Sequence, residues 1–373
     1  MSRRLRIGID ASQASIEMGR GLRRYLLHLL KTLPLSSAPH RYFFITSESA
    51  IAKSFVPSDS QFKCVHPRRY FALRRWPWLA AAKFFAPRTD LMHFINTLWD
   101  GYRGKCVVTL GDLAPYHFPD NLFVNKEEEN IYHRQLKIIV DRATLIATHS
   151  EYSRQDLIAH LKISPARVRT VYPIVDPVFL DARPEPRKPE EPYFLYVGGI
   201  DFRKNIPLLL DAFSLYRERG GRSKLILVGR RENEKRPKHY PPLQPLLDAM
   251  KEKKHVRWLT RISDEELVSL YAASNAFVFP SFFEGFGSPL VEAMACGTPV
   301  ITVRKTCIPE VMGEAAYYVE TAPESLADAM ADIESNAALR RQLVESGKER
   351  LKLYQPERFA EEMVSVYEDA ARL

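Results

Sequence analysis

At 373 residues the chain is too long for one ordinary hydrophobic core and long enough for two domains of roughly 150–200 residues. Its 46% hydrophobic and 27% charged content excludes wholesale disorder, and no apolar run approaches the roughly 20 residues of a membrane span. The net charge of +9 is uneven: residues 1–180 hold 26 Lys+Arg against 15 Asp+Glu, the remainder 28 against 30, so the first half is the one suited to an anionic partner.

The first segment, "MSRRLRIGIDAS", is basic but has no h-region or cleavage site, and reads as a strand rather than a signal peptide. Strand-like runs then alternate with helical patterns: "LRIGID", "YFFIT", "LMHFI", "CVVTLGD", "TLIATHS" and "VRTVY" in the first half. "YFLYVGG", "KLILVG", "HVRWL", "AFVFP", "PVIT" and "AYYVE" follow in the second. This alternation predicts βα units and mostly parallel sheets. Between the sets, residues 173–192 carry prolines at 173, 177, 184, 186, 189 and 192, a density that breaks helices and central strands and marks the domain join. The expected architecture is α/β: two Rossmann-like, doubly wound domains, 1–175 and 176–355, with ligands at the carboxyl ends of the strands. The four cysteines form no C-x-x-C pair, so no metal or disulfide framework is expected and a reducing compartment suits them.

"AFVFPSFFEGFGSPLVEAMACG" reads as buried strand, glycine-rich turn and helix. Ser288 is placed at the N-cap, Pro289 at the first helical position, and Gly297 at the end. Gly285 and Gly287 let backbone approach a ligand, and the free N–H groups and helix dipole at 287–290 favour an anion. Glu292, one turn into the helix, suits a ribose diol; Glu284, before the turn, would meet a group on the far phosphate. Upstream, "YVGGIDFRKN" ends a strand at Gly198-Gly199 and places Arg203 and Lys204 in a surface loop, where two cations can neutralise a leaving diphosphate. G-x-G-x-x-G is absent, so this is no dinucleotide fingerprint.

From "ISDEELVSLYAASNAFVFPSFFEGFGSPLVEAMACGTPVI" through "IPEVMGEAAYYVE", with "YVGGIDFRKN" before it, the chain resembles the family-four retaining glycosyltransferases of the GT-B fold. "GIDAS", "GRGLRRYLLHLL", "TLGDLAPYHFPD" and "SEYSRQDL" resemble that family's N-terminal signposts, in order. Bacterial mannosyltransferases of polysaccharide assembly are the most similar subset. The resemblance implies that Glu284 contacts the transferred sugar, and that Glu292 holds the ribose. It implies that Arg203 and Lys204 hold the diphosphate with backbone of the turn Gly285, Phe286, Gly287, Ser288, Pro289 and Leu290. Gly199 and Arg261 join the donor side, with the base near Trp258–Ile262 and "VGRRENE"; Gly21, Arg23 and Asp112 form the acceptor side. It implies an NDP-sugar donor, GDP-sugar favoured, a glycan or lipid-linked acceptor, and retention at the anomeric carbon with neither metal nor cofactor. Residues 356–373 are expected to cross back as a helix onto the N-terminal domain.

The chain departs from the family at three points. Gly111-Asp112 stands where His-Asp is common, a position expected to accept histidine sterically. "GLRRY", read as a loop, has Arg23 in place of a second glycine, and Gly199 stands where relatives carry arginine. The missing imidazole keeps open a second reading, a catalytically silent sugar-nucleotide-binding or scaffolding protein; His117 reads as a loop histidine without a catalytic part. Residues 67–88, "PRRYFALRRWPWLAAAKFFAPR", hold six cations, six aromatics and no acid. They suit an anionic membrane surface at the cytoplasmic face. Nucleic acid is not expected, because no recognition module surrounds them.

Overall fold

The computed structural model describes residues 4–11, 20–45, 61–65, 89–181, 191–229 and 238–373. They form two parallel sheets. The first contains β1 (Arg6–Asp10), β2 (Arg41–Ile45), β3 (Phe62–Val65), β4 (Leu91–Ile95), β5 (Cys106–Thr109), β6 (Leu145–Thr148) and β7 (Val168–Thr170), in the order β3-β2-β1-β4-β5-β6-β7. The second contains β8 (Tyr193–Val197), β9 (Lys224–Val228), β10 (Val256–Leu259), β11 (Ala276–Phe279), β12 (Val300–Val303) and β13 (Tyr317–Val319), in the order β10-β9-β8-β11-β12-β13.

The twelve runs read as strands in the sequence are strands. Central ones such as "LMHFI" and "YFLYV" are buried along their whole length, as a sheet covered on both faces requires. The sequence reading missed β3: "FKCV" is four residues long, carries an exposed Lys63, and lies on the sheet edge, where a hydrophobic pattern is weakest. Strand order reverses between β1 and β4 in the first sheet and between β8 and β11 in the second. A doubly wound sheet opens a ligand crevice at the carboxyl ends of such a strand pair.

The chain divides into two units, residues 1–113, 125–174 and 355–373 in one, and 114–124 with 175–354 in the other. In the first, the final helix Pro356–Arg372 lays Phe359, Met363 and Tyr367 against Ile7, Leu29 and Phe44. A buried polar chain fixes its register: Tyr367 Oη lies 2.8 Å from His93 Nδ1, and His93 Nε2 lies 2.8 Å from Thr109 Oγ1.

The single cut at residue 175 is corrected by the segment 114–124, which belongs to the second unit. Phe118 packs there against Phe202, Phe282 and Phe283 with ring centroids 5.3, 5.8 and 5.3 Å apart, and Leu122 is buried beside them. Nothing local in "APYHFPDNLFV" says which core will take its aromatics. The loop reading of "GLRRY" is also corrected: Gly21 and Arg23 stand in the first turn of helix Arg20–Thr32, their side chains outside the described set. Residues 67–88 and 182–190 lie outside the described residues, and among those described no helix is long and apolar enough to cross a membrane.

Candidate active site

The second sheet's switch point is where the predicted donor residues collect. β8 ends at Val197, and the N–H of the next residue, Gly198, donates to Val228 O at 2.9 Å. A Cβ at Gly229, after β9, would stand 2.1 Å from Gly198 O, so the two strand ends meet only because residue 229 is glycine. Beyond Gly199, whose carbonyl accepts from Tyr196 Oη at 2.5 Å, the chain makes one 3-10 turn, Phe202–Lys204. Asp201 caps it, accepting from Arg203 N at 3.2 Å and Arg203 Nε at 2.8 Å. Burial opposes the charge on Asp201, but Lys204 and Arg203 outweigh it and hold the carboxyl below its ordinary range. Asn205, left-handed at φ 53°, then turns the chain into helix Ile206–Glu218.

Lys204 Nζ forms an ion pair with Glu284 Oε1, and it lies over the Phe279 ring 5.3 Å from its centroid. The Lys204 and Arg203 side chains are only 13% and 18% exposed, which corrects the expectation that the cation pair occupies an open surface loop. Glu284 is held at three further points. Ser281 Oγ donates to Oε1 at 2.7 Å, the backbone N–H donates to Thr306 Oγ1 at 3.1 Å, and the carbonyl accepts from Cys307 Sγ at 3.2 Å. No described residue hydrogen-bonds Oε2, the oxygen left for a ligand. Thr306 itself has φ 50°, rare for a β-branched residue, and such backbone strain gathers at functional sites. Asp201, Ser281, Thr306 and Cys307 were not among the predicted site residues. Three are named by contacts to residue 284 that no local pattern announces.

The helix Ser288–Ala295 begins one residue earlier in its capping than predicted. Gly287 is the N-cap at φ 83°, Ser288 is the first helical residue, and Pro289 the second. A side chain at 287 would meet both that φ and Leu290 Cδ1 at 2.8 Å, so glycine is required. Gly285 and the buried Phe286 complete the turn, and Gly297 at φ 68° closes the helix as expected. Glu292 is 4% exposed and accepts from Tyr271 Oη at 3.3 Å. Its charge and burial push the nearby Cys296 thiol up to about 12, burial contributing most. A buried carboxylate one turn inside a helix suits a diol next to a phosphate held at the helix's positive end, although there Pro289 has no N–H and Leu290 N–H is already bonded to Gly287 O at 2.9 Å.

Arg261 is exposed in the segment after β10, where Trp258 Nε1 donates to Gly229 O at 3.1 Å. Most of "VGRRENE" lies outside the described residues. His117, in the short helix Ala114–His117, sets its ring 5.4 Å from that of Phe283, the residue before Glu284, tilted by 51°. Asp112 belongs to the first unit, as does Gly111. There a histidine at 111 would crowd the His149 ring: a Cβ would lie 3.0 Å from His149 Nδ1 and 3.1 Å from Cε1, so that ring must give by a few tenths of an ångström.

Two parallel doubly wound domains, the second carrying this cation–carboxylate turn, have the GT-B architecture. The chain belongs to the group 1 glycosyl transferases: residues 179–350 match that family, and a long relative at 31% identity carries the match across both domains. That relative is the O-antigen chain mannosyltransferase B of Escherichia coli, aligned over 322 residues, 80% of this chain and 83% of its own. The O-antigen chain mannosyltransferase RfbU of Salmonella typhimurium is 30% identical over 57% of this chain and 56% of its own. Among solved structures, sucrose-phosphate synthase from Thermosynechococcus elongatus superposes with a TM-score of 0.74 at 21% identity, covering 98% of this chain and 99% of its own. WaaG, a glycosyltransferase involved in lipopolysaccharide biosynthesis, does so at 0.68 and 16%, covering 95% and 98%. At these identities the structures speak for the fold.

Proposed function

We propose that the protein transfers a hexose, with mannose from GDP-mannose the first choice, onto a glycan or lipid-linked acceptor of a surface polysaccharide, with retention at the anomeric carbon. The observation that carries this is the Lys204–Glu284 pair at the switch point, between a two-cation turn and a helix N-terminus. Lys204, Arg203 and the positive end of the helix that starts at Ser288 hold the diphosphate, Glu292 the ribose, and Glu284 Oε2 a hydroxyl of the sugar. The bond from the anomeric carbon to the phosphate oxygen breaks as the acceptor oxygen bonds the same face. The acceptor proton passes to the departing phosphate oxygen, and the nucleoside diphosphate leaves. The developing negative charge falls on a group already facing two cations, which is where preorganised charge lowers a barrier most. Those cations take the part a divalent ion plays elsewhere, so activity in EDTA is expected.

The choice of mannose and of a polysaccharide acceptor is supported by the names of the O-antigen relatives. Incubation with GDP-, UDP-, ADP- and dTDP-sugars and a lipid-linked acceptor tests it: transfer of the α-linked sugar from GDP-mannose is expected. Tight nucleotide binding with neither transfer nor hydrolysis from any donor would leave a silent binding protein instead. The stretch 67–88 is proposed to hold the protein on anionic lipid at the cytoplasmic face. Changing Arg68, Arg69, Arg74 and Arg75 to Gln should then abolish salt-sensitive co-sedimentation with phosphatidylglycerol vesicles. Equal sedimentation of both proteins would remove that part.

A further inference from the structure

Among the described residues of the first unit, His149 Nε2 is a buried nitrogen with no hydrogen-bond partner. His149 follows β6 directly, and the next residue, Ser150, caps helix Glu151–Leu161 by accepting from Ser153 N at 3.1 Å, so its backbone is fixed on both sides. Its ring lies against Tyr25 with centroids 4.8 Å apart, and the Tyr25 hydroxyl is engaged with Thr109 Oγ1 at 3.2 Å. On the other side, the Nδ1–Cε1 edge occupies the space that a side chain at Gly111 would take. β5 and β6 are paired, and Leu110 N donates to Ala147 O at 2.9 Å, so Gly111 and His149 are neighbours at the carboxyl edge of this sheet. His149 Nε2 is shielded from solvent and makes no hydrogen bond. A buried ring nitrogen in that condition has lost its water without gaining a partner, a penalty that a ligand group would relieve.

We propose that His149 Nε2 binds a hydroxyl of a sugar at the carboxyl edge of the first sheet, the lack of a side chain at Gly111 giving the imidazole its place. The chemistry selects the ligand. Burial keeps the imidazole neutral, with its pKa pushed down to about 4, and the neighbouring Tyr25 is held as the uncharged phenol. Such a pair gives an anion no countercharge, whereas a hydroxyl both donates and accepts and satisfies Nε2 in either tautomer. The inference rests on the sugar-transfer reading for its ligand class, and the hydroxyl can come from the donor sugar or from the acceptor glycan.

The test combines spectroscopy with kinetics on the full chain. The 15N shift of His149 Nε2 is recorded alone, with GDP-mannose, and with methyl α-mannoside, and it moves with at least one. His149→Phe, which keeps a ring against Tyr25 and removes the nitrogen, lowers kcat/KM for transfer at least tenfold with an unchanged melting temperature. His149→Gln, which restores a hydrogen-bonding group, recovers part of the loss. Loss shared by donor hydrolysis without acceptor assigns the hydroxyl to the donor; loss confined to acceptor KM assigns it to the acceptor. Gly111→Ala, which pushes on Nδ1, gives a loss of the same kind. A shift indifferent to both probes, as from a nitrogen served by water alone, overturns the inference, and so does a His149→Phe enzyme within twofold of wild type. A wild type that transfers nothing while Nε2 still responds to a probe overturns the sugar-transfer reading and keeps this one.

Discussion

At the carboxyl end of the second sheet, the loops after β8 and β11 gather Asp201, Arg203, Lys204 and Glu284, and pair their charges inside the protein. At the same end of the first sheet, the groups around β5 and β6 are Tyr25, Thr109, His93 and His149, joined by neutral hydrogen bonds and ring contacts. Both sheets are parallel and doubly wound, so topology alone would give them equivalent crevices. What separates them is the electrostatic work each can do. Charge held in place by opposite charge is ready for a leaving diphosphate, while uncharged donors and acceptors discriminate hydroxyls without attracting phosphate.

The comparison breaks most readily at Lys204. Lys204→Ala removes the cation and leaves the nearly buried Glu284 without its ion-pair partner, so kcat should fall by about 10²–10³, as for loss of one preorganised stabilising group. Steady-state transfer within threefold of wild type would mean that the pair is structural. Next is Glu292→Ala, which takes a charged acceptor from the proposed ribose diol, a loss of about 1.5–3 kcal/mol. Calorimetry with the nucleoside diphosphate reads it directly, and unchanged affinity would move the ribose elsewhere.

Smaller effects sharpen the contrast. Thr306→Val deletes the acceptor for the Glu284 N–H and should cost about 1–2 kcal/mol in urea unfolding, with Thr306→Ser close to wild type. In the first unit the expected signature is one of pH. His93 is wholly buried between Tyr367 and Thr109, and burial pushes its pKa down to about 3. The unfolded histidine, near 6.5, takes a proton that the folded one refuses. The stability is therefore complete above about pH 6.5 and is lost on acidification toward 3, at up to about 1.4 kcal/mol per pH unit. Unfolding at pH 7, 6 and 5 should show this slope in the wild type and a shallower one in His93→Gln; identical slopes would assign acid sensitivity to other groups.

The sequence alone determined the class of fold, twelve of the thirteen strands among the described residues, and the turn at 284–292. Each of these is written in residues close together: a run of β-branched and aromatic side chains, a proline-dense join, glycines where the backbone must bend. Tertiary structure decided which residues hold the site together. Thr306 and Cys307 reach Glu284 across 22 and 23 positions, Ser281 is chosen from among many serines, and Lys204 meets Glu284 across 80. It also decided that 114–124 joins the second unit, and that the ring of His149 crowds the space beside Gly111. Local pattern fixes backbone geometry through steric preferences and periodic burial. The partners of a side chain depend on which strand ends the sheet order brings side by side, and that order is set by packing of the whole domain.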